Sequence, residues 1–221
     1  MMNNSILMVD IGARYGLHPT WKNYGGDIEF HLIEADPKEA KRLAERYKCF
    51  SNVFTHNLML AEYNGKQKLN ILKNPAMSST VSRKNISPLF WEERNEQLEV
   101  MESIIINSTT LNNFREKLNK CIRYIKIDTE GTEYSILKNY NYFSEVYGIR
   151  SEVCFDNLFG SETGETFSQI NLMLLNHGFM LLNIDYDGQG DFYSKLISHK
   201  QRYGILQSTD AVWIKKTKRD N

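Results

Sequence analysis

The sequence predicts an α/β fold in which a largely parallel sheet is covered by helices on both faces. Three observations lead there. The first apolar run, Ile6 to Ile11, is almost uninterrupted, as strands buried on both faces are, and it feeds a turn carrying Gly12 and Gly16. Strand-like and helix-like segments then alternate along most of the chain. Acids recur at predicted strand ends, at Asp10, Glu34 and Asp128, which is where an open parallel sheet takes its ligand.

At 221 residues and 41% hydrophobic content, the chain suits one domain spanning 1–221, large enough to bury a core unaided. Acidic and basic side chains number 27 each, so no overall field draws it to nucleic acid or to an anionic membrane. Cys49, Cys121 and Cys154 are odd in number and scattered, forming neither a disulfide ladder nor a C-x-x-C pair, which suits a reducing cytoplasm. No stretch reaches membrane-spanning length, and the opening apolar run lacks a basic flank and a cleavage site; a soluble, unprocessed protein is expected.

In order, the spacing predicts a strand over 6–11 and a short helix over 17–24, weakened by Pro19 and closed by Gly25-Gly26. A second strand follows over 28–34. Asp36-Pro37-Lys38-Glu39 combines an N-cap acid, Pro at the first helical position and a capping-box Glu, which predicts a helix over 37–47. Strands are expected over 52–57 and 67–72, with Gly65 in the turn between them. From Asn74 to Gln97 the pattern dissolves into Pro75, Ser78-Ser79-Thr80, Arg83-Lys84, Pro88 and Phe90-Trp91; a loop this long reads as a lid or acceptor-binding insertion over 76–97. A strand resumes over 99–107, and Thr110 caps a helix running to Leu118. Residues 122–128 form a strand, with Lys126 and Asp128 on one face, opening a helix to about Tyr140. A strand over 147–155 holds Glu152. A helix over 166–177 ends at His177 and Gly178, and strands over 179–186 and 211–215 complete the chain.

What is missing narrows the ligand. A dinucleotide fingerprint needs glycine where Arg14 and Leu17 stand, and no G-x-x-x-x-G-K-[ST] occurs, so NAD is disfavoured and a P-loop is excluded. Glu34 lies about 20 residues beyond the glycine turn, the offset of an acid that takes ribose hydroxyls. A ligand with one ribose and no phosphate fits, and S-adenosylmethionine has that form. Two other classes stay open: an NAD-dependent oxidoreductase with an eroded turn, and a non-catalytic domain that keeps the fold for binding partners.

The segments Asp10-Ile-Gly-Ala-Arg-Tyr-Gly16, Leu32-Ile-Glu-Ala-Asp36-Pro, Met59-Leu-Ala-Glu-Tyr-Asn-Gly65, Ser78-Ser79, Thr110-Leu111 and Ile125-Lys-Ile-Asp-Thr-Glu-Gly-Thr-Glu133 together resemble the FkbM family of S-adenosylmethionine-dependent methyltransferases. The most specific piece is Ile-Lys-Ile-Asp-x-Glu-Gly-x-Glu. The resemblance implies a seven-stranded Rossmann-like sheet with an antiparallel last strand, and methylation of a hydroxyl, most often on a saccharide, glycan precursor or polyketide. It further implies that the turn of Asp10, Gly12, Ala13, Arg14 and Gly16 faces the methionine and adenosine portions of the cofactor, with Glu34 on the ribose. Ala35, Asn57 and Asp128 complete that cofactor set.

Methyl transfer to a hydroxyl needs alignment and a proton acceptor. Asp128 and Glu130 are the candidates for base or acceptor-orienting group. Lys126 joins this catalytic set, and reads most simply as a partner keeping Asp128 or another strand-end acid charged. Asp128, Glu130, Glu133 and Glu152 could offer hard oxygen ligands to Mg²⁺, but acids at a helix N-terminus need no metal to explain them, and no metal is assigned. The Asp185 to Gly190 segment reads as a turn, because Leu196 stands where a calcium loop needs a bidentate Glu. The five histidines show no zinc spacing; of them only His18 is placed near the ligand.

Overall fold

The computed structural model describes residues 6–18, 21, 27–81, 96–155, 166–184, 192–193, 205–206 and 208–216. Most of the expected helix over 17–24, Phe90-Trp91, most of the proposed lid and the Asp185 to Gly190 turn lie outside them. Strands β1 (Ile6–Ile11), β2 (Ile28–Glu34) and β3 (Val53–Asn57) come first, with helix α1 (Pro37–Tyr47) between the last two. A short β4 (Met59–Leu60), then β5 (Gly65–Leu72) and β6 (Val100–Thr109), precede α2 (Leu111–Leu118) and β7 (Ile122–Ile127). Helix α3 (Glu133–Leu137), β8 (Gly148–Cys154), α4 (Phe167–Asn176), β9 (Phe179–Ile184), β10 (Phe192–Tyr193), β11 (Ile205–Leu206) and β12 (Ser208–Lys215) follow.

Seven strands form the main sheet in the order β3-β2-β1-β7-β8-β12-β9. All pairings from β3 to β8 are parallel, whereas β12 runs antiparallel to both β8 and β9. This is the Rossmann-like sheet with its antiparallel last strand. The chain steps outward from β1 to β3 and then returns to pair β7 with the other side of β1. The strand order therefore reverses between β1 and β7, opening a crevice at their carboxyl ends.

Side-chain alternation divides the core. Leu7, Val9 and Ile11 pack with Ile125, Ile127, Phe114 of α2 and Leu174 of α4, while Met8 packs with Phe30, Leu32, Leu43 and Tyr47 under α1. Helix α1 forms as expected: Asp36 accepts from the Lys38 N–H at 2.9 Å and Pro37 occupies the first turn. Thr110 caps α2 by accepting from the Asn113 N–H. The expected helix after β7 is shorter than its spacing suggested, ending at Leu137.

One part of the plan departs from simple alternation. The strands expected over 67–72 and 99–107 do not enter the main sheet. They pair antiparallel with each other as β5 and β6, with β4 on the other side of β6, forming a separate three-stranded sheet. Gly65 begins β5 rather than occupying the preceding turn. Two strands that are neighbours in sequence can hydrogen-bond directly, with no crossover helix.

The glycine turn has a steric cause. Gly12 has φ +81°, and a Cβ there would sit 1.8 Å from the Asp128 carbonyl oxygen; at Gly16, also at +81°, it would sit 2.4 Å from the Tyr47 hydroxyl. Both glycines answer to close protein neighbours, Gly12 to the backbone that follows β7 and Gly16 to α1. Gly12→Ala is expected to destabilise the fold by about 3 kcal/mol or more in a urea melt, since positive φ and a backbone clash add.

On the opposite face, Glu29, His31 and His56 form a relay. Lys120 holds Glu29 at 2.7 Å, Glu29 accepts from His31 Nε2 at 2.8 Å, and the neutral His31 accepts at Nδ1 from His56 Nε2–H at 2.9 Å. Burial, then the neighbouring His31, pushes His56 down to about 4 from an ordinary 6.5. At this group the unfolded chain binds more protons between those values, so the stability that His56 contributes is fully present above about pH 6.5 and is lost as pH falls toward 4. The melting temperature should fall over that window more steeply in the wild type than in His56→Gln.

Candidate active site

A cleft of about 220 Å³ opens at the carboxyl ends of β1, β2 and β7. Gly12 and Arg14 come from the turn after β1, and Glu34, Ala35 and Asp36 from the end of β2. Asp128, Thr129 and Glu130 follow β7. The opposing wall belongs to the smaller sheet, through Leu60, Gln67 and Leu69, and to the Ser78-Ser79-Thr80 step.

The β1 turn is fastened to β2: the Gly12 and Ala13 N–H groups both donate to the Ile33 carbonyl at 3.0 Å. Arg14 donates to Asp36 Oδ2 at 2.8 Å and lies 3.6 Å from Glu39, which ties the turn to the start of α1. Glu34 is buried, and burial pushes its carboxyl up despite the Asp36 N–H that Oε1 accepts at 2.8 Å and the nearby Arg14 charge. A carboxylate accepts about four hydrogen bonds, so this one keeps capacity for a diol. Asn57 Nδ2 donates to the Glu34 and Ala35 carbonyls at 3.2 Å, holding the loop from behind.

Between β1 and β7 lies a buried ion cluster. Asp10 and Lys126 are in register on adjacent strands, and Lys126 Nζ stands 3.3 Å from Asp10 and 3.4 Å from Asp128. Burial opposes charge on Lys126, but the carboxylates of Asp10, Asp128 and Asp210 outweigh it and raise the ammonium above its ordinary value. Burial also pushes Asp10 up, with Lys126 pulling the other way. The Asp10 side chain is 1% exposed and that of Asp128 37%, so the lysine links a sealed acid to an open one.

The loop after β7 is held by its own side chains. Glu133, at the start of α3, accepts from the Thr129 N–H at 2.6 Å, the Thr129 hydroxyl at 2.9 Å and the Gly131 N–H at 3.0 Å, and burial pushes it up to about 7. Glu130 adopts φ +59°, uncommon for a residue with a Cβ. Ser79 secures that conformation: its hydroxyl donates to the Glu130 carbonyl at 2.9 Å, while its backbone pairs with Asn70 of β5. The smaller sheet is thereby fastened to the acid-bearing loop.

Of the residues singled out from sequence, Gly12, Arg14, Glu34, Ala35, Asp128 and Glu130 share this cleft. Asp10, Ala13, Gly16, Asn57 and Lys126 are not in its lining; they form the layer beneath or beside it. His18 packs edge-on against Trp21, away from the lining. The smaller sheet's wall and Ser79 were not among the expected site residues. The serine-rich step was their only local signal, because the contacts bridge about 50 residues of chain.

The Methyltransferase FkbM domain model matches residues 10–181. No curated protein matches the chain. Among solved structures, precorrin-6y C5,15-methyltransferase from Geobacter metallireducens aligns with TM-score 0.42 and 12% identity, over 96% of this chain and 81% of that one. TrmK of M. capricolum, in complex with S-adenosyl-homocysteine, aligns with TM-score 0.47 and 10% identity over 98% and 65%. The METTL16 methyltransferase domain gives 0.44 and 9% over 98% and 62%. With a family match running from the end of β1 into β9 and enclosing every residue placed in the cleft, the chain belongs to the FkbM methyltransferase family and is an S-adenosylmethionine-dependent methyltransferase.

Proposed function

We propose that the protein is an O-methyltransferase acting on a hydroxyl of a saccharide or glycan precursor. The observation that carries this reading is the opposition, within one cleft, of Glu34 at the end of β2 and the Asp128–Glu130 pair after β7. S-Adenosylmethionine supplies a methyl group on a sulfonium. Glu34 takes the ribose hydroxyls, the Gly12 to Arg14 turn borders the methionine and adenosine portions, and Asn57 keeps the Glu34 loop in place. The acceptor oxygen forms its bond to the methyl carbon as the carbon–sulfur bond breaks and its electron pair stays on sulfur, giving S-adenosylhomocysteine. The hydroxyl proton passes to Asp128 or Glu130.

Lys126 orients Asp128 from below, its Nζ 3.4 Å from the carboxylate. Zero net charge argues against a nucleic-acid acceptor, since such binding draws on a basic surface. Cys49, Cys121 and Cys154 form no disulfide among the described residues, which suits a cytoplasmic reaction, and no helix among those residues is long and apolar enough to cross a membrane. The saccharide assignment rests on the family resemblance.

Asp128→Asn and Glu130→Gln are each expected to lower kcat at least about 100-fold, the scale of a lost general base, while S-adenosylhomocysteine binding by calorimetry stays within about threefold. Near-normal turnover in both variants would dismiss the assignment. Glu34→Gln should instead weaken cofactor binding. In a thermal-shift comparison, S-adenosylmethionine and S-adenosylhomocysteine should raise Tm and NAD should not.

A further inference from the structure

The peptide group that joins Glu130 to Gly131 is held at both ends. Its carbonyl accepts from the Ser79 hydroxyl at 2.9 Å, and its N–H donates to Glu133 Oε2 at 3.0 Å. In a trans peptide these two groups point in opposite directions, so the partners reach it from opposite sides. Ser79 comes from the segment that bridges to Asn70 of β5, and Glu133 from the first turn of α3. Both side chains are buried. Glu130 and Gly131 have φ +59° and +106°, two successive positive values, and the first is costly for a residue with a Cβ.

Neither partner is free to follow the peptide if it turns. Glu133 also accepts from the Thr129 N–H at 2.6 Å and the Thr129 hydroxyl at 2.9 Å, which fix its carboxyl in place. The Ser79 oxygen accepts from the Val81 N–H at 3.1 Å, which leaves its hydrogen for the Glu130 carbonyl, and its backbone exchanges hydrogen bonds with Asn70 at 3.0 and 3.3 Å. A flip of the peptide plane would break both bonds at once and set the Glu130 carbonyl oxygen against the Glu133 carboxyl. The backbone conformation in turn sets the direction of the Glu130 side chain, which lines the cleft beside Asp128.

We propose that Ser79 and Glu133 are positioning residues that clamp the Glu130–Gly131 peptide in this one orientation, and so hold the Glu130 carboxyl where the acceptor hydroxyl gives up its proton. That last consequence rests on the O-methyltransferase reading above; the clamp does not. The smaller sheet is then more than a wall, because one of its contacts decides where a reacting group stands.

The test uses the purified full chain with S-adenosylhomocysteine, labelled with ¹⁵N-glycine and separately with ¹³C-carboxyl glutamate. Amide exchange at Gly131 and the Glu130 carboxyl signal are read by NMR. Exchange at Gly131 should quicken at least about tenfold in Glu133→Gln and also in Ser79→Ala, although Ser79 touches only the other end of that peptide. Ser79→Ala should also shift the Glu130 carboxyl signal, and Ser79→Thr, which keeps the hydroxyl, should restore both. Ser103→Ala removes a hydroxyl that donates to Asn70 Oδ1 at 2.8 Å within the smaller sheet, and should change neither. Unaltered Gly131 exchange in Ser79→Ala overturns the proposal, as does an equal change in Ser103→Ala, which would mark general loosening of that sheet. If Glu133→Gln fails to fold, Ser79→Ala decides.

Turnover on methyl α-D-glucopyranoside, followed as S-adenosylhomocysteine release, tests the consequence. Ser79→Ala should lower kcat about tenfold with KM for S-adenosylmethionine within about threefold, and should add no further loss to Glu130→Gln. Additive losses overturn the positioning role while leaving Glu130 in its own. Absence of wild-type turnover counts against the saccharide reading alone, and the Gly131 and Glu130 signals then decide the clamp.

Discussion

The contact between Lys126 and Asp10 is the constraint on which the site depends. It joins the two central strands at the point where the strand order reverses, in a place too buried for water to solvate either charge. Such a pair adds little net stability over an apolar one, but neither member can be removed alone without stranding a charge, at a cost of about 3–5 kcal/mol. What it supplies is position. A cation fixed beneath the cleft floor helps to determine where the Asp128 carboxyl stands, and the Asp128 N–H donates to the Ile11 carbonyl of β1 at 3.0 Å. The loop carrying Asp128 and Glu130 is thereby referenced to the turn that carries Gly12.

Strand register extends this pattern sideways. Lys126 is level with Asp10 on one side and Arg150 on the other, and Glu152 is level with Asp210 on the antiparallel β12. A band of charged side chains, acid, base, base and then two acids, thus crosses one face of four strands toward their carboxyl ends. Toward β8 and the cleft it turns acidic, and burial together with the adjacent Glu130 and Asp128 raises Glu152 well above the ordinary carboxylate range. A site with this polarity suits positively charged ligands, among them a sulfonium.

The smaller sheet supplies the wall that faces this row. Its strands come from the segment between β3 and α2, and its attachment to the loop after β7 passes through Ser79, whose hydroxyl donates to the Glu130 carbonyl. Glu130 holds a backbone conformation that costs of order 1 kcal/mol, and this bond together with the Glu133 carboxylate helps to hold it there. Wall and loop therefore act as one support for the side chains at the open end.

Much of this was readable in the chain itself. Uninterrupted apolar runs, the Asp36-Pro37 start of α1 and the Thr110 cap are local signals, and each produced the expected element because neighbouring residues alone decide caps and period. The acids at strand ends were visible for the same reason. Tertiary structure decided what strand periodicity does not encode: that β5 and β6 leave the main sheet, that Gly12 is shaped by the Asp128 carbonyl, and that Glu133 serves the loop while Glu152 joins Asp128 and Glu130. Those outcomes depend on which segments pack together across tens of residues, and a local pattern carries no term for a neighbour that only the folded chain brings into reach.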